Sequence, residues 1–474
     1  MARRARFTGT VVTGPRLTVS DAALPRTALR LAVSTGLTGP GSTTPVTIVA
    51  IGDSDSSVKW GAALLGQAPA DWQRSLIVLA SPVLPSGEQL AAALSGTQGV
   101  IGSPPVVDLS ALTAHIARLR PDIVLLSVRG PLVKVVIRVV VEASVVRPVI
   151  VSGLPGISIP ATKRALADRA KVDYFVLHSR REVREFETLA SRLGIEMRFG
   201  LATLPFLPQT PHPQKTKGRN QNGEIIFATQ AKVPPEKADR LALLSWLAES
   251  ARRHPYLRVV VKVRSARGEK QTHAERYDYA NLVDQLDPPA PHNLVVTGGA
   301  MSDHLAGAVG LVTVSSAAAI EAIALSIPVI IVEDFGVSAE LTNTVFDGSG
   351  LFGNCGDVVE GRFRHPDAAW LDDNYFHAKE QNNWVQGVDE LLLARATGDF
   401  PLKPSPITPF RHGIFGGVLR LAWDRTSALG RFDRSLSVDV VVGPPERLAL
   451  IVLRRVRSRR ARVRLATVET MGEH

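Results

Sequence analysis

The feature that most narrows the fold is an alternation of short β-branched apolar runs with helical patterns, which begins at Val46, fades near Pro205 and begins again at Glu224. Val46–Ile51 is such a run and ends in Gly52. Asp53-Ser54-Asp55-Ser56 then supplies a polar turn and a helix N-cap before a helical pattern over Val58–Leu65. Further strand patterns fall at Leu76–Ala80, Val106–Val107, Ile123–Ser127, Val149–Ser152, Tyr174–Leu177 and Arg198–Gly200. Helical patterns occupy Ser86–Leu94, Leu109–Arg120, Ala161–Ala170 and Arg181–Leu193. Strands separated by helices need crossover connections, so a parallel sheet with right-handed crossovers is expected.

Pro205, Pro208, Pro211 and Pro213 sit in a stretch to Asn222 that is otherwise basic and polar, the composition of a linker. Beyond it the alternation restarts. Strand patterns cover Glu224–Thr229, Arg258–Val263, Leu294–Val296, Gly310–Val314 and Val329–Val332, with helical ones at Lys237–Arg253, Met301–Ala308 and Ala317–Leu325. The expected organisation is an irregular extension (1–44), a Rossmann-like α/β domain (45–206), a linker (207–223), a second Rossmann-like domain (224–400) and an extension (401–474), in which Gly413–Leu429 can form a helix. Two such parallel-sheet halves face each other across a cleft at the carboxyl ends of their strands, where ligands of these folds bind.

Composition removes several classes. Cys355 is the only cysteine, so neither an intramolecular disulfide nor a cysteine metal cluster can form, and a reducing, cytoplasmic setting is expected. Met1–Arg6 is arginine-rich, yet no continuous apolar run follows it before Thr44. The most apolar stretch, Leu132–Ser152, is interrupted by Lys134, Arg138, Glu142 and Arg147, which argues against a membrane span. The net charge of +11 is concentrated in seven arginines from Arg454 to Arg464, interleaved with Val456 and Val463. That tail is either a solvated basic end or an amphipathic segment suited to anionic lipid on the inner membrane face. Aromatic residues make up 5% of the chain and no base-recognition motif accompanies the charge, so nucleic acid is not the expected partner. No phosphate-binding Gly-x-x-x-x-Gly-Lys loop, Gly-x-Gly-x-x-Gly after the first strand, His-Glu-x-x-His or Gly-x-Ser-x-Gly is present, which disfavours the enzymes built on them.

The segment from Gly310 to Ile330 is the most informative. Its strand delivers Ser315 and Ser316 to a carboxyl edge, small Ala317–Ala319 follow, and Glu321 lies in the next helix. Hydroxyls and free N–H groups at such a point suit a phosphate; the same serines also suit an ordinary helix cap. Lys262, Arg264 and Arg267 after the second strand of this half can supply positive charge to a departing phosphate, and Gln230 ends its first strand. In the first half, Asp53 and Asp55 are the candidate carboxylates for taking a proton from an acceptor hydroxyl, with Lys59 and Trp60 one turn later. Ser152-Gly153-Leu154-Pro155-Gly156 forms a second loop at that edge, open to an acceptor or to tight packing. His273, Glu275 and His304 are further cleft candidates.

Ser315, Ser316, Glu321 and Pro328 match, residue by residue, a pattern that resembles bacterial capsule and teichoic-acid glycosyltransferases: polysialyltransferase-like, Kdo-transferase-like and CDP-glycerol glycerophosphotransferase-like proteins, and most closely an actinobacterial glycosyltransferase group. The likeness covers mainly residues 224–335. It departs from the pattern where those families carry Lys-x-His-Pro, since Lys262 is followed by Val263, Arg264 and Ser265. The resemblance implies a GT-B-like fold with the nucleotide-sugar half second. It implies donor contacts from Ser315, Ser316 and Glu321 and a Gln near the cleft at Gln230; Lys262 and Arg264 are the further donor contacts expected from the residues themselves, and Ser152, Gly153 and Lys59 the expected acceptor contacts. It also implies transfer of a sugar or polyol phosphate to an envelope polysaccharide or glycolipid without a metal, with a cytidine nucleotide favoured. A nucleotide-sugar epimerase of the same fold, or a basic nucleic-acid-binding protein, are the competing readings.

Overall fold

The computed structural model describes residues 45–95, 97, 102–204, 207, 223–263, 276–299, 301–400, 424–425 and 428–429. In the first half β1 (Thr47–Gly52), α1 (Asp55–Gln67), β2 (Gln73–Leu79), α2 (Gly87–Leu94), β3 (Val106–Val107), α3 (Leu109–Leu119) and β4 (Ile123–Ser127) are followed by α4 (Gly130–Ala143), β5 (Val149–Gly153), α5 (Lys163–Arg169), β6 (Tyr174–Leu177), α6 (Arg180–Arg192) and β7 (Arg198–Leu201). All neighbouring strands are parallel, in the order β3-β2-β1-β4-β5-β6-β7. Alternate residues supply opposite faces: Val49, Ile51, Val124 and Leu126 enter one core, and Ile48, Ala50, Ile123 and Leu125 the other.

The second half contains β8 (Glu224–Ala228), α7 (Lys237–Arg253), β9 (Arg258–Lys262), α8 (Tyr279–Leu282), β10 (Leu294–Thr297), α9 (Met301–Leu305), β11 (Ala308–Thr313), α10 (Ala318–Ala324), β12 (Val329–Val332), β13 (Phe352–Gly353), α11 (Cys355–Glu360), α12 (Ala368–Asp373) and α13 (Trp384–Thr397). Its sheet is also parallel, ordered β10-β9-β8-β11-β12-β13. Each sheet therefore has a switch point where the winding reverses, between β1 and β4 in the first and between β8 and β11 in the second. The architecture is the expected GT-B-like pair of Rossmann-like sheets.

Two elements depart from the sequence reading. The valine-rich run after β4 is a helix, α4, with Pro131 in its first turn and Leu132, Val133, Val135, Val136, Ile137 and Val140 buried. Its β-branched composition favours a strand locally, and tertiary burial of one face decides otherwise. Second, α13 follows the second sheet in sequence but packs on the first. Trp384, Val388, Leu391 and Leu392 join the core of Ile48, Trp60 and Tyr174, and Asn383 exchanges hydrogen bonds with Leu201 at 3.0 and 2.7 Å. The last helix of the 224–400 segment thus returns to the first sheet. Of Gly413–Leu429, the described Asp424, Arg425, Ala428 and Leu429 are helical, and the last two are buried against the first core.

The halves also meet along α6. Arg184 forms a two-pronged ion pair with Asp373 at 2.6 and 2.7 Å, and Arg181 donates to the Thr344 and Val345 carbonyls. Ile159 and Leu204 pack with Trp370 and Tyr375. Below them Tyr375 donates its hydroxyl to Glu182 at 2.7 Å. Among the described residues no helix is long and apolar enough to cross a membrane. The 1–44 extension, most of the 207–223 linker, Arg264, Arg267, His273, Glu275 and Arg454–Arg464 lie outside the described residues.

Candidate functional site at the second switch point

At the first switch point the carboxyl ends of β1 and β4 carry Asp53 and Arg129. Asp53 is fully buried; Arg129 Nε donates to its Oδ2 at 2.6 Å, while the Arg129 N–H and the Ser57 hydroxyl donate to Oδ1 at 3.1 and 3.3 Å. Both oxygens are thus committed inside the fold. The expectation that Asp53 acts on an acceptor meets a carboxylate whose role here is to tie β1 to β4. Asp55, in the first turn of α1, is exposed. Lys59 follows it at the i+4 position, on the same side of the helix.

Ser152 and Gly153 are interior rather than open to the cleft. The Ser152 hydroxyl donates to the Leu126 carbonyl at 2.8 Å and accepts from Arg169 at 3.2 Å. A Cβ on Gly153 would lie 2.5 Å from the Trp60 ring, so this glycine exists to admit an indole. Trp60 in turn donates Nε1–H to His178 Nε2 at 2.6 Å, and His178 Nδ1–H points at the Ala202 carbonyl at 3.0 Å. The imidazole is therefore neutral, and burial lowers its pKa from 6.5 to about 4.

The second switch point is built differently. Gln230, two residues past the end of β8, and Ser315, two residues past the end of β11, face each other. The Ser315 N–H and hydroxyl both donate to Gln230 Oε1, at 3.0 and 2.9 Å, and the Thr342 hydroxyl lies 2.9 Å from Ser315 Oγ. A backbone N–H can only donate, so the amide oxygen rather than the nitrogen occupies this position. Thr342 adopts φ +57, a strained conformation for a β-branched residue. Ser316 takes the bland option that the sequence left open, its hydroxyl accepting from the Ala318 N–H at 3.2 Å.

Lys262, at the end of neighbouring β9, is buried and donates to the Val263 carbonyl at 2.6 Å. Glu321, in the second turn after Ser315, is largely withdrawn from water. Burial raises its pKa, and the Lys59 ammonium of the first half acts in the opposite direction. Two residues proposed for opposite sides of the cleft thus feel each other across it. His304 instead contacts the Gly298 carbonyl and sits 3.5 Å from Glu224, the first residue of β8, away from this cluster.

Sequence reasoning missed Thr342, Arg129 and Arg240. Arg240 of α7 is 1% exposed and donates to the carbonyls of Gln230, Ala231, Pro234 and Tyr277 at 2.6–3.2 Å. No local pattern marks it, since an arginine on a helix reads as solvated. Among the described residues no three His, Cys, Asp or Glu side chains converge in a metal-like group. A groove of about 550 Å³ between β7 and α13, lined by Tyr174, Glu187, Met197 and Glu390, contains none of the candidate residues.

A family model described as "Putative glycosyltransferase (DUF6716)" matches residues 48–391, which spans both halves and α13 as far as Leu391. No curated protein matches the chain significantly. Among solved structures, the UDP complex of MnaA from S. aureus is similar at 11% identity and TM-score 0.45, covering 76% of this chain and 99% of that one. UDP-GlcNAc 2-epimerase from Neisseria meningitidis bound to UDP-GlcNAc is similar at 11% identity and TM-score 0.42, over 74% and 100%. A UGT transferase from Siraitia grosvenorii in complex with UDP gives 11% identity and TM-score 0.42, over 80% and 99%. Likeness at this level says nothing of donor or reaction.

Proposed function

The chain belongs to that glycosyltransferase family, and we propose that it transfers a sugar, or a polyol phosphate, from a nucleotide-activated donor held at the second switch point to a hydroxyl of an envelope polysaccharide or glycolipid. The observation that carries this reading is the pair of Ser315 donors converging on a single oxygen at the β8/β11 crevice, the arrangement a phosphoryl oxygen requires. Lys262 adds a buried positive charge one strand away. Glu321 is assigned to the donor's ribose hydroxyls, which a carboxylate accepts, and Lys59 to the donor phosphates from the facing half.

In the transfer of a glycosyl group, the acceptor oxygen attacks the anomeric carbon while the bond from that carbon to the donor phosphate breaks. The nucleotide leaves with the electron pair, stabilised by the Ser315 donors, Lys262 and Lys59. Asp55, exposed and one turn before Lys59 on α1, takes the acceptor proton. With these groups on the leaving phosphate, the reaction is proposed to need no divalent cation; activity abolished by chelation and restored by manganese would refute that. A cytidine nucleotide is the favoured donor, and Arg454–Arg464 is assigned to anionic lipid beside the acceptor.

Thermal denaturation against CMP, CDP, UDP, GDP, ADP and short RNA tests the proposal. One nucleotide should stabilise the protein, and replacing Ser315 and Ser316 together by alanine should remove that shift. Stabilisation by RNA alone would refute the transferase reading.

A further inference from the structure

Gln230 and Ser315 bridge the switch point with uncharged hydrogen bonds, whereas Asp53 and Arg129 close the corresponding crevice of the first half with an ion pair. This difference has a chemical consequence. A ligand oxygen entering the second crevice must take the place of Gln230 Oε1, because the Ser315 N–H has only one direction in which to donate. The main chain around Gln230 is not free to retreat with it. Arg240 holds the carbonyls of Gln230, Ala231 and Pro234 at 3.2, 2.9 and 2.8 Å, and its guanidinium lies 5.0 Å from the Tyr279 ring centre. The Gln230 side chain itself is only partly buried.

We propose that Gln230 is a built-in competitor for the donor: its amide oxygen, which accepts from both Ser315 donors, gives way to a phosphoryl oxygen when the donor binds, while Arg240 keeps the loop in place. The inference rests on the site assignment above and reverses the sign expected of a residue that simply contacts the donor. The exchange replaces a neutral acceptor by an anionic one, which forms the stronger hydrogen bonds and so makes displacement favourable. It also gives selectivity, because a neutral ligand gains little over the amide it displaces.

Isothermal titration of CDP, UDP and inorganic pyrophosphate into wild type, Gln230→Ala, Gln230→Glu, Ser315→Ala and the Gln230→Ala/Ser315→Ala pair tests this. Gln230→Ala should bind the phosphate-bearing probes about tenfold more tightly, which corresponds to about 1.4 kcal/mol. Its melting temperature without added ligand should fall at the same time, since the fold loses two hydrogen bonds. Gln230→Glu should bind more weakly than wild type, and the gain from Gln230→Ala should be smaller when Ser315 is already alanine, because only the backbone N–H of the donor pair then remains. Wild-type binding that is lost in Ser315→Ala but unchanged or weakened in Gln230→Ala overturns the competitor role and leaves the site assignment standing. Absence of binding in both wild type and Gln230→Ala overturns the site assignment and the competitor role together.

Discussion

Two buried titratable groups at the junction of the halves should balance each other, so that removing either one exposes a pH dependence that the wild type lacks. Glu182 is fully buried and accepts from the Ser158 N–H, the Tyr375 hydroxyl and the His178 N–H at 2.8, 2.7 and 2.9 Å. Burial nevertheless pushes its carboxyl from 4.5 to about 7. Between those pH values the folded protein binds more protons at this site than the unfolded chain, so stability falls as pH rises, by about 3 kcal/mol at 1.36 kcal/mol per unit. His178 moves the other way, from 6.5 to about 4 by burial. Between those values the unfolded chain binds more protons, so stability rises with pH by a similar amount, about 3 kcal/mol. The two slopes overlap from 4.5 to 6.5 and cancel. In Glu182→Gln only the histidine slope remains, so the melting temperature should climb between pH 4.5 and 6.5. At roughly 2 cal/mol/K of unfolding entropy per residue, about 3 kcal/mol is about 3 °C for a chain of this size unfolding as one unit. His178→Asn should show the opposite slope. Scanning calorimetry of wild type and both variants over this range, read as differences, isolates the two groups from the other carboxylates. Parallel profiles for all three would refute the reasoning.

Asp53→Asn should lower stability by about 1–3 kcal/mol, because it removes the charged partner of the one-third-exposed Arg129, whereas Asp55→Asn should leave the denaturation curve in place and reduce turnover at least a hundredfold. Equal effects of the two substitutions on stability would contradict the separation drawn between them. Gly153→Ala should destabilise the first half by about 1–3 kcal/mol as Trp60 is forced aside, visible as lost Trp–His178 contact in near-ultraviolet dichroism; an unchanged spectrum and melting point would show that the ring has room. Lys59→Met should weaken nucleotide binding and return Glu321 to a pKa higher than in wild type, since the nearby cation is what opposes its burial. A donor affinity unchanged from wild type would remove Lys59 from the site.

The alternation of elements was legible because both sheets are parallel and buried on two faces, so every strand is a compact apolar run bounded by turn residues. β4 and β12 lie where the residues placed them, and α7 spans Lys237–Arg253 as read. The valines of α4 were not legible as a helix, since local composition and final burial disagree there. Within the site, Ser315 and Gln230 could be paired with one crevice because both follow strand ends. What strand ends cannot reveal is which are roofed over: Asp53, Ser152 and Gly153 occupy the same edge in sequence terms, yet Arg129, Arg169 and Trp60 arrive from elsewhere to cover them. Thr342 reaches Ser315 from a distant loop and Arg240 caps carbonyls from within a helix, placements for which local sequence gives no signal.

The return of α13 to the first sheet also bears on the order in which the protein can be made. β7 ends at Leu201, but Trp384, Val388, Leu391 and Leu392, which complete one face of that sheet, are synthesised about 180 residues later. At roughly 5–20 residues per second, the amino-terminal half emerges from the ribosome with an apolar face uncovered for about 10–40 s. A nascent chain in that interval is a natural client for a holdase, and translational pausing before Trp384 would lengthen its exposure. The second half, whose own sheet is closed before α13 appears, is under no such delay.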